Sequence, residues 1–363
     1  MTDDAHWMRR ALALAEGGRY TAAPNPLVGC VLVRDGAVVG EGYHRRAGEG
    51  HAEVNALLEA GPRAGGATAY VTLEPCAHHG RTPPCTEALI GAGVARVVAA
   101  MQDPNPQVAG KGLALLREAG IDVECGLLAD EAAALNPGFI KRMATGRPYV
   151  RVKMAQSLDG RSALADGAAR WITGPAARAD VQRWRARSQA IVTGIGTVLA
   201  DDPQLTVRLP DVASQPLRVV LDSALKLPPT ARLLREPGNT LVATCQVDAP
   251  QAAALTAAGA QIVTLPAGAG RIDLGALLDE LGRRQCNEVL VEAGPRLAGA
   301  FLAAALVDEL IVYIAPHLLG HDARPVFELP PVPHMDARLD LEPLDVLSFG
   351  PDLRLRLRPA ARA

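Results

Sequence analysis

Aromatic residues make up only 3% of this chain, so its cores are expected to be aliphatic, with Ala, Leu and Val carrying the apolar content. An excess of either charge is missing too. A net charge of -2 provides no broad electropositive surface, which argues against a nucleic-acid partner and for a small substrate. Long hydrophobic runs are lacking: the longest, Leu297 to Val307, stops at Asp308 and Glu309, far short of a bilayer span. No signal peptide is read at the start, where Asp3, Asp4 and His6 precede Trp7, Met8, Ala11, Leu12 and Leu14 at the spacing of an amphipathic helix. A cytoplasmic protein with no membrane partner is the expectation. The 6 cysteines are too scattered for a disulfide framework. Fixed-period repeats and low-complexity tracts are absent as well.

What is present fits two domains, since 363 residues exceed what one core usually organises. Two β-rich runs, Leu27 to Arg34 and Val38 to Tyr43, flank the turn signal Asp35-Gly36 and predict a hairpin. A helix over His51 to Ala60, a strand over Ala67 to Leu73, a helix over Thr86 to Gly91, a strand over Val94 to Met101, a helix over Gly112 to Ala119 and a strand near Val123 follow. The polar stretch from Arg142 to Pro148 reads as a boundary, giving domains 1–146 and 147–363. Beyond it, strands at Tyr149 to Ala155, Ala190 to Thr193, Leu217 to Leu221, Thr240 to Ala243 and Glu288 to Glu292 alternate with helices at Pro175 to Arg187, Leu274 to Arg284 and Arg296 to Ala304. Both halves are α/β.

His51-Ala52-Glu53, then Pro75-Cys76, then Cys85 supply one imidazole, two potential thiolates and a carboxylate that need not touch metal, the constellation of zinc-dependent cytidine deaminases. Two thiolates neutralise Zn²⁺ and leave a fourth position for water, whose pKa the metal lowers toward roughly 7. Residues two apart on a helix point about 200° from each other, so His51 and Glu53 converge only if they sit at the loose first turn. Gly48 and Gly50 suit that placement. Glu53 is the expected proton shuttle, from the water to the ring and then to departing ammonia. His78 and His79 stand between the thiols as alternative donors, while Cys30, Cys125, Cys245 and Cys286 read as buried packing residues.

Eight residues separate the two cysteine ligands, in Cys76-Ala77-His78-His79-Gly80-Arg81-Thr82-Pro83-Pro84-Cys85. This run, and the opening Thr21-Ala22-Ala23-Pro24-Asn25-Pro26-Leu27-Val28-Gly29-Cys30, resemble the deaminase of the bifunctional deaminase and reductase family of riboflavin biosynthesis. The resemblance implies that Asn25, His44 and Arg81 contact the substrate, and that the first domain is a cytidine-deaminase-like three-layer α/β/α structure with one Zn²⁺. It implies hydrolysis of the 2-amino group of 2,5-diamino-6-(5-phosphoribosylamino)pyrimidin-4(3H)-one. A tRNA adenosine deaminase with an accessory domain, or a silent nucleotide sensor, are the rival readings. The first leaves residues 147–363 without a use, and an intact Glu53 argues against the second.

In the second half, Lys153-Met154-Ala155-Gln156-Ser157-Leu158-Asp159-Gly160-Arg161 and Trp171-Ile172-Thr173-Gly174 resemble the same family's reductase, a relative of dihydrofolate reductase in fold. Gly194-Ile195-Gly196-Thr197-Val198-Leu199 is not a Rossmann fingerprint, because Leu199 occupies the third glycine position. The resemblance implies NADPH as cofactor, with Ala155, Trp171, Thr197, Asp201 and Ser223 as contacts. The strand running into Ala293-Gly294-Pro295-Arg296-Leu297-Ala298-Gly299-Ala300 and a helix offers unpaired N–H groups to the cofactor's phosphates, across Gly294, Pro295, Arg296, Leu297, Ala298, Gly299 and Ala300. Ala293 stands where the family often has Gly. Arg185 and Arg208 correspond to positions binding the substrate's ribose phosphate, for which a guanidinium is well suited. Lys153, Ala169, Leu205 and Glu292 are further implied substrate contacts, and a homo-oligomer, dimer or tetramer, is implied as the assembly.

Overall fold

The computed structural model describes residues 4–79, 83–106, 108–210, 212, 214–246, 248–268 and 270–360. These divide into two compact units, the first ending at Arg147 and the second beginning at Pro148.

In the first unit, α1 (Asp4–Ala15) precedes the hairpin β1 (Gly29–Arg34) and β2 (Ala37–Tyr43), followed by α2 (Ala52–Ala60), β3 (Thr68–Val71), α3 (Cys85–Gly91), β4 (Arg96–Ala99), α4 (Lys111–Glu118) and β5 (Asp122–Cys125). The sheet order is β2-β1-β3-β4-β5, antiparallel around β1 and parallel from β3 to β5. Strand alternation sorts the side chains into two faces. Cys30, Leu32, Val71 and Val97 pack with Ala52 and Ala56 of α2 and Leu113 and Leu116 of α4, while Val31, Val33, Tyr70 and Val98 pack with Met8, Ala11 and Leu12 of α1. The result is the expected three-layer α/β/α arrangement. Two helices were not foreseen, α5 (Ala129–Leu135) and α6 (Pro137–Thr145); α6 fills much of the supposed boundary stretch and stops at Gly146, whose φ of 74° is the left-handed helix stop.

The second unit is built on a nine-stranded sheet whose members are β6 (Tyr149–Ser157), β7 (Ala190–Gly194), β8 (Leu217–Leu221), β9 (Thr240–Thr244), β10 (Ala260–Thr264), β11 (Glu288–Glu292), β12 (Glu309–Ala315), β13 (Leu341–Phe349) and β14 (Asp352–Pro359). Their order is β10-β9-β8-β7-β11-β6-β12-β14-β13, parallel from β10 to β12 and antiparallel in the last two. The helices are α7 (Pro175–Arg187), α8 (Ile195–Asp201), α9 (Arg232–Arg235), α10 (Ala249–Ala257), α11 (Leu274–Arg283) and α12 (Pro295–Ala303). Val150, Val152, Val192, Val219, Val289 and Val291 form the main core with Leu277, Leu281 and Phe301.

The sheet's other face carries charge. Arg151 of β6 is buried between Glu288 of β11 at 2.5 Å and Glu309 of β12 at 3.0 Å, and Glu288 also takes Arg187 of α7 at 2.6 Å. Burial alone would raise the Glu288 carboxyl, but Arg151 and Arg187 hold it down to about 2, against an ordinary 4.5. A depressed carboxyl stabilises the fold fully above its unfolded value and loses that contribution as pH falls through the folded one, a term of about 3 kcal/mol here. Urea unfolding of wild type is therefore expected to weaken between about pH 4.5 and 2, and Glu288→Gln to flatten that acid limb while lowering stability at neutral pH. Equal acid limbs in the two proteins would remove this carboxylate from the account.

Candidate active sites

The first site forms where α2 begins. His51 is its N-cap, with φ -72° and ψ 168°, so its extended backbone frees the imidazole from helical geometry, while Glu53 lies in the first turn. His51 and Glu53 can therefore face one cavity, as two residues at this spacing inside a helix could not. A close approach fixes the position of α2: a Cβ on Gly42 would lie 2.4 Å from the Ala52 carbonyl oxygen, so β2 must be bare there. Cys76 lies in the loop after β3, and Cys85 is the first residue of α3.

His51 Nδ1 stands 3.2 Å from Cys85 Sγ and 3.5 Å from Cys76 Sγ, and all three donor atoms lie within 4.8 Å of one another. A tetrahedral zinc, with bonds near 2.0–2.1 Å to nitrogen and 2.3 Å to sulfur, needs N···S separations of about 3.5 Å. The three donors fit that ion and leave one corner open. The thiols are unequal: Cys76 is lowered, chiefly by the hydrogen bond from the Cys85 thiol, and Cys85 is raised by the same bond and by burial. Glu53 is 3% exposed, and burial pushes its carboxyl up to about 7. Among the described residues no fourth protein donor joins the cluster; His79 pairs instead with Glu87 at the surface.

Next to the triad, Asn25 Nδ2 lies 3.0 Å from His44 Nε2, and His44 Nδ1 lies 3.2 Å from the Gly50 carbonyl oxygen. Burial lowers the His44 pKa and keeps the ring neutral. Its proton then sits on Nδ1, donating to Gly50, and Nε2 accepts from Asn25. The His44 ring meets that of His51 edge-on at 5.2 Å. Arg81 lies outside the described residues.

Two residues that position this site escaped the sequence reading. Asn55 donates to the carbonyls of Tyr43 and Gly50, bracing the segment that carries His44 and His51. The buried Glu74 carboxylate accepts from the backbone N–H groups of Asp103, Gly110, Gly112 and Leu113, fixing the Cys76 loop to the start of α4. A Cβ on Gly112 would lie 1.9 Å from the Pro75 carbonyl oxygen, so that contact also requires glycine. Cys30 and Cys286 are buried and Cys245 half-buried, but Cys125 ends the edge strand β5 and is exposed rather than packed.

The second site is a cleft of about 1500 Å³ at the carboxyl ends of the parallel strands, where α/β sheets bind ligands. Lys153, Ala155, Ala169, Trp171, Thr197 and Asp201 line it. So do Arg185, Leu205, Arg208, Ser223 and Glu292, together with Gly294, Pro295, Arg296, Leu297 and Ala300. Ala298 and Gly299 do not reach it. Ala298 is fully buried in the main core and its N–H is spent on the Gly294 carbonyl, while a Cβ on Gly299 would lie 1.9 Å from the Glu328 carbonyl oxygen. Both face inward because α12 must pack on the sheet. Gly294, the N-cap of α12, has nothing within 4 Å of where its Cβ would be, so the first turn opens onto free space that suits a phosphate. The Ala293 methyl packs partly against the core.

Inside the cleft Arg185 grips Glu292 with two bonds, of 2.6 and 3.0 Å, and also donates to the Thr206 carbonyl at 3.0 Å. Lys153 Nζ lies 3.9 Å from the same carboxylate. Burial alone would raise Glu292, but Arg185 and Lys153 hold it below its ordinary value; burial also lowers Lys153, which Glu292 only partly opposes. The Arg208 guanidinium takes no partner among the described residues; its backbone N–H bonds Gln182.

Comparison with known proteins matches residues 1–101 to the cytidine and deoxycytidylate deaminase zinc-binding region and residues 148–355 to the RibD C-terminal domain. The chain thus joins a zinc deaminase to a reductase. It is 53% identical to the riboflavin biosynthesis protein RibD of Escherichia coli K12, over 98% of this chain and 99% of that one, and 48% identical to RibD of Haemophilus influenzae, over 99% and 98%. The structure of Acinetobacter baumannii RibD superimposes with a TM-score of 0.92 at 50% identity, covering 99% of both chains. That of the diaminohydroxyphosphoribosylaminopyrimidine deaminase/5-amino-6-(5-phosphoribosylamino)uracil reductase of Thermotoga maritima does so with 0.88 at 33%, covering 98% of this chain and 99% of that one. The chain belongs to the RibD family. It is a bifunctional enzyme of riboflavin biosynthesis that deaminates with zinc and then reduces with NADPH.

Proposed function

We propose that the first unit converts 2,5-diamino-6-(5-phosphoribosylamino)pyrimidin-4(3H)-one to 5-amino-6-(5-phosphoribosylamino)uracil, and that the cleft of the second reduces the ribosyl group to ribityl. The observation that carries this reading is the convergence of His51, Cys76 and Cys85 beside a buried Glu53. His51, Cys76 and Cys85 would hold zinc, which would supply a polarised water for the attack. Glu53 accepts a proton from the attacking water, delivers it to the ring nitrogen and then protonates the departing amine, so that water enters and ammonia leaves. Asn25 and His44 present an amide and a neutral imidazole to the pyrimidine.

In the second unit the cleft would hold NADPH, which would supply hydride to C1′ of the ring-opened, protonated ribosyl imine, leaving a neutral amine and NADP⁺. Gly294 to Leu297 would receive its pyrophosphate, Ala155, Trp171, Thr197 and Asp201 its nicotinamide half, and Ser223 its adenosine half. Lys153, Arg185 and Glu292 form the charged floor beneath the sugar, with Arg208 as the cation for its phosphate. A cytoplasmic setting is supported by six free cysteines, and no helix among the described residues is long and apolar enough to cross a membrane. A homo-oligomer is supported by exposed Leu344, Val346 and Leu347 on the edge strand β13.

The test is a two-stage assay on the full chain, ammonia release followed by NADPH oxidation, before and after zinc is stripped. Chelation is expected to abolish ammonia release and spare reduction of separately supplied deaminated product. Ammonia release from zinc-free protein would sink the deaminase assignment.

A further inference from the structure

The cleft of the second unit is rich in arginine, and what each guanidinium does separates two of them from the rest. Arg170 bonds the Asp201 carbonyl, Arg178 the Thr173 carbonyl and Arg324 that of Ala165, while Arg185, Arg232 and Arg296 pair with Glu292, Glu236 and Glu328. Among the described residues, Arg208 and Arg271 alone of the arginines lining the cleft leave the guanidinium without a partner. A cation left without an internal partner at a cleft wall is available to a ligand anion.

The two lie at different ends. Arg208 lies two residues after Thr206, whose carbonyl Arg185 holds while gripping Glu292 at the end of β11, and its own N–H donates to Gln182 of α7, which places it beside the floor assigned to the substrate. Arg271 sits in a two-residue strand, Arg271–Ile272, paired with Ala267–Gly268, just beyond β10. That is the opposite end of the parallel strands, since β10, β9, β8 and β7 precede β11 in the sheet order. Ile272 is buried in the main core with Leu221 and Leu277 and anchors the short hairpin. Arg271, its exposed neighbour, takes the other face and lines the cleft. The open first turn of α12 rises directly from β11, and between it and Arg271 stands Ser223, which follows β8 and whose hydroxyl takes no partner among the described residues.

Two unengaged cations at two ends match two phosphate monoesters, one on the phosphoribosyl substrate and one on the ribose 2′ position of NADPH. We propose that Arg271 holds the 2′-phosphate of the cofactor, with the Ser223 hydroxyl as second donor, and so sets the preference for NADPH over NADH. The inference rests on the reading of this cleft as the cofactor site. It adds the residue that discriminates between the two nicotinamide cofactors.

The test is calorimetric titration of the full-length zinc-loaded protein with 2′,5′-ADP, which carries the 2′-phosphate, and with 5′-AMP, which lacks it. Arg271→Ala is expected to weaken 2′,5′-ADP by about tenfold to a hundredfold, the worth of one hydrogen bond to a charged group, and to leave 5′-AMP unchanged. Arg271→Lys is expected to restore part of the loss. In turnover, the NADPH/NADH ratio of kcat/KM falls in parallel, with the KM for the pyrimidine substrate unmoved. The exposed side chain makes misfolding of either variant unexpected. Gly294→Val, which fills the space at the first turn of α12, separates the possible failures. If it abolishes 2′,5′-ADP binding while Arg271→Ala keeps the full preference over 5′-AMP, the Arg271 assignment is overturned and the cofactor cleft stands. If neither variant changes binding, the nucleotide lies elsewhere and both fall.

Discussion

Replacing Glu53 by Gln is expected to lower the rate of ammonia release by about 10²–10⁴-fold, the usual worth of a positioned acid-base group, and toward the upper end because one carboxylate moves every proton of the reaction. Gln keeps the shape and fills the same buried space but cannot accept the water's proton. Since Glu53 is no member of the donor triad, zinc content is expected to stay at one per chain. Reduction of separately supplied deaminated substrate is also expected to stay at the wild-type rate, as the cleft that lines Lys153 and Gly294 belongs to the second unit. Three readouts are needed together: ammonia, zinc by elemental analysis, and NADPH oxidation. Loss of ammonia release with loss of zinc would make Glu53 a structural support of the triad. Retained ammonia release would remove it from the chemistry altogether.

The triad was legible in sequence because it is short-range chemistry: a His and a Glu two apart, then two Cys flanking a loop, are ordered cues whose geometric demand could be stated in advance. The demand was that both residues occupy the first turn of the helix, and His51 as N-cap meets it. Glu74 was not legible, because its four partners lie 29 to 39 residues away and are backbone N–H groups that no side-chain pattern announces. Period-2 alternation is plain in Asp352-Leu353-Arg354-Leu355-Arg356, yet its usual meaning is reversed at the start of β14. Arg354 is 7% exposed and bonds buried Asp180, whereas Leu353 is 41% exposed. A hydrophobicity rule points the wrong face inward there, because the sheet face under α7 joins an apolar cluster of Val181, Trp184, Leu290, Ile311 and Tyr313 to buried ion pairs, and Arg354 belongs to the ion pairs. Ala298 and Gly299 were misplaced for a related reason. A run of small residues after a strand fits both an open phosphate cradle and a close helix contact, and only the first turn of α12 turned out to be open.

The second large effect is expected from Glu292→Gln. Glu292 ends β11 in register with Lys153 of β6, and across the cleft floor it meets Arg185 from α7. Removing its charge leaves a half-buried guanidinium and a half-buried ammonium without their shared counterion, a situation that costs about 3 kcal/mol, the lower end for breaking a buried pair. Arg185 also holds the Thr206 carbonyl, so its displacement loosens the segment that presents Leu205 and Arg208 to the substrate. Reductase kcat/KM is therefore expected to fall by about 10²–10³-fold, with ammonia release untouched and an earlier melting transition for the second unit. A purely structural role would stop there. A role in holding the Lys153 charge predicts one thing more: burial already lowers Lys153, Glu292 is what opposes it, and without the carboxylate the pKa drops further. The alkaline limb of the reductase pH profile is expected to move to lower pH in Glu292→Gln and to return toward wild type in Glu292→Asp. A limb that stays in place while kcat/KM falls would confine Glu292 to positioning Arg185.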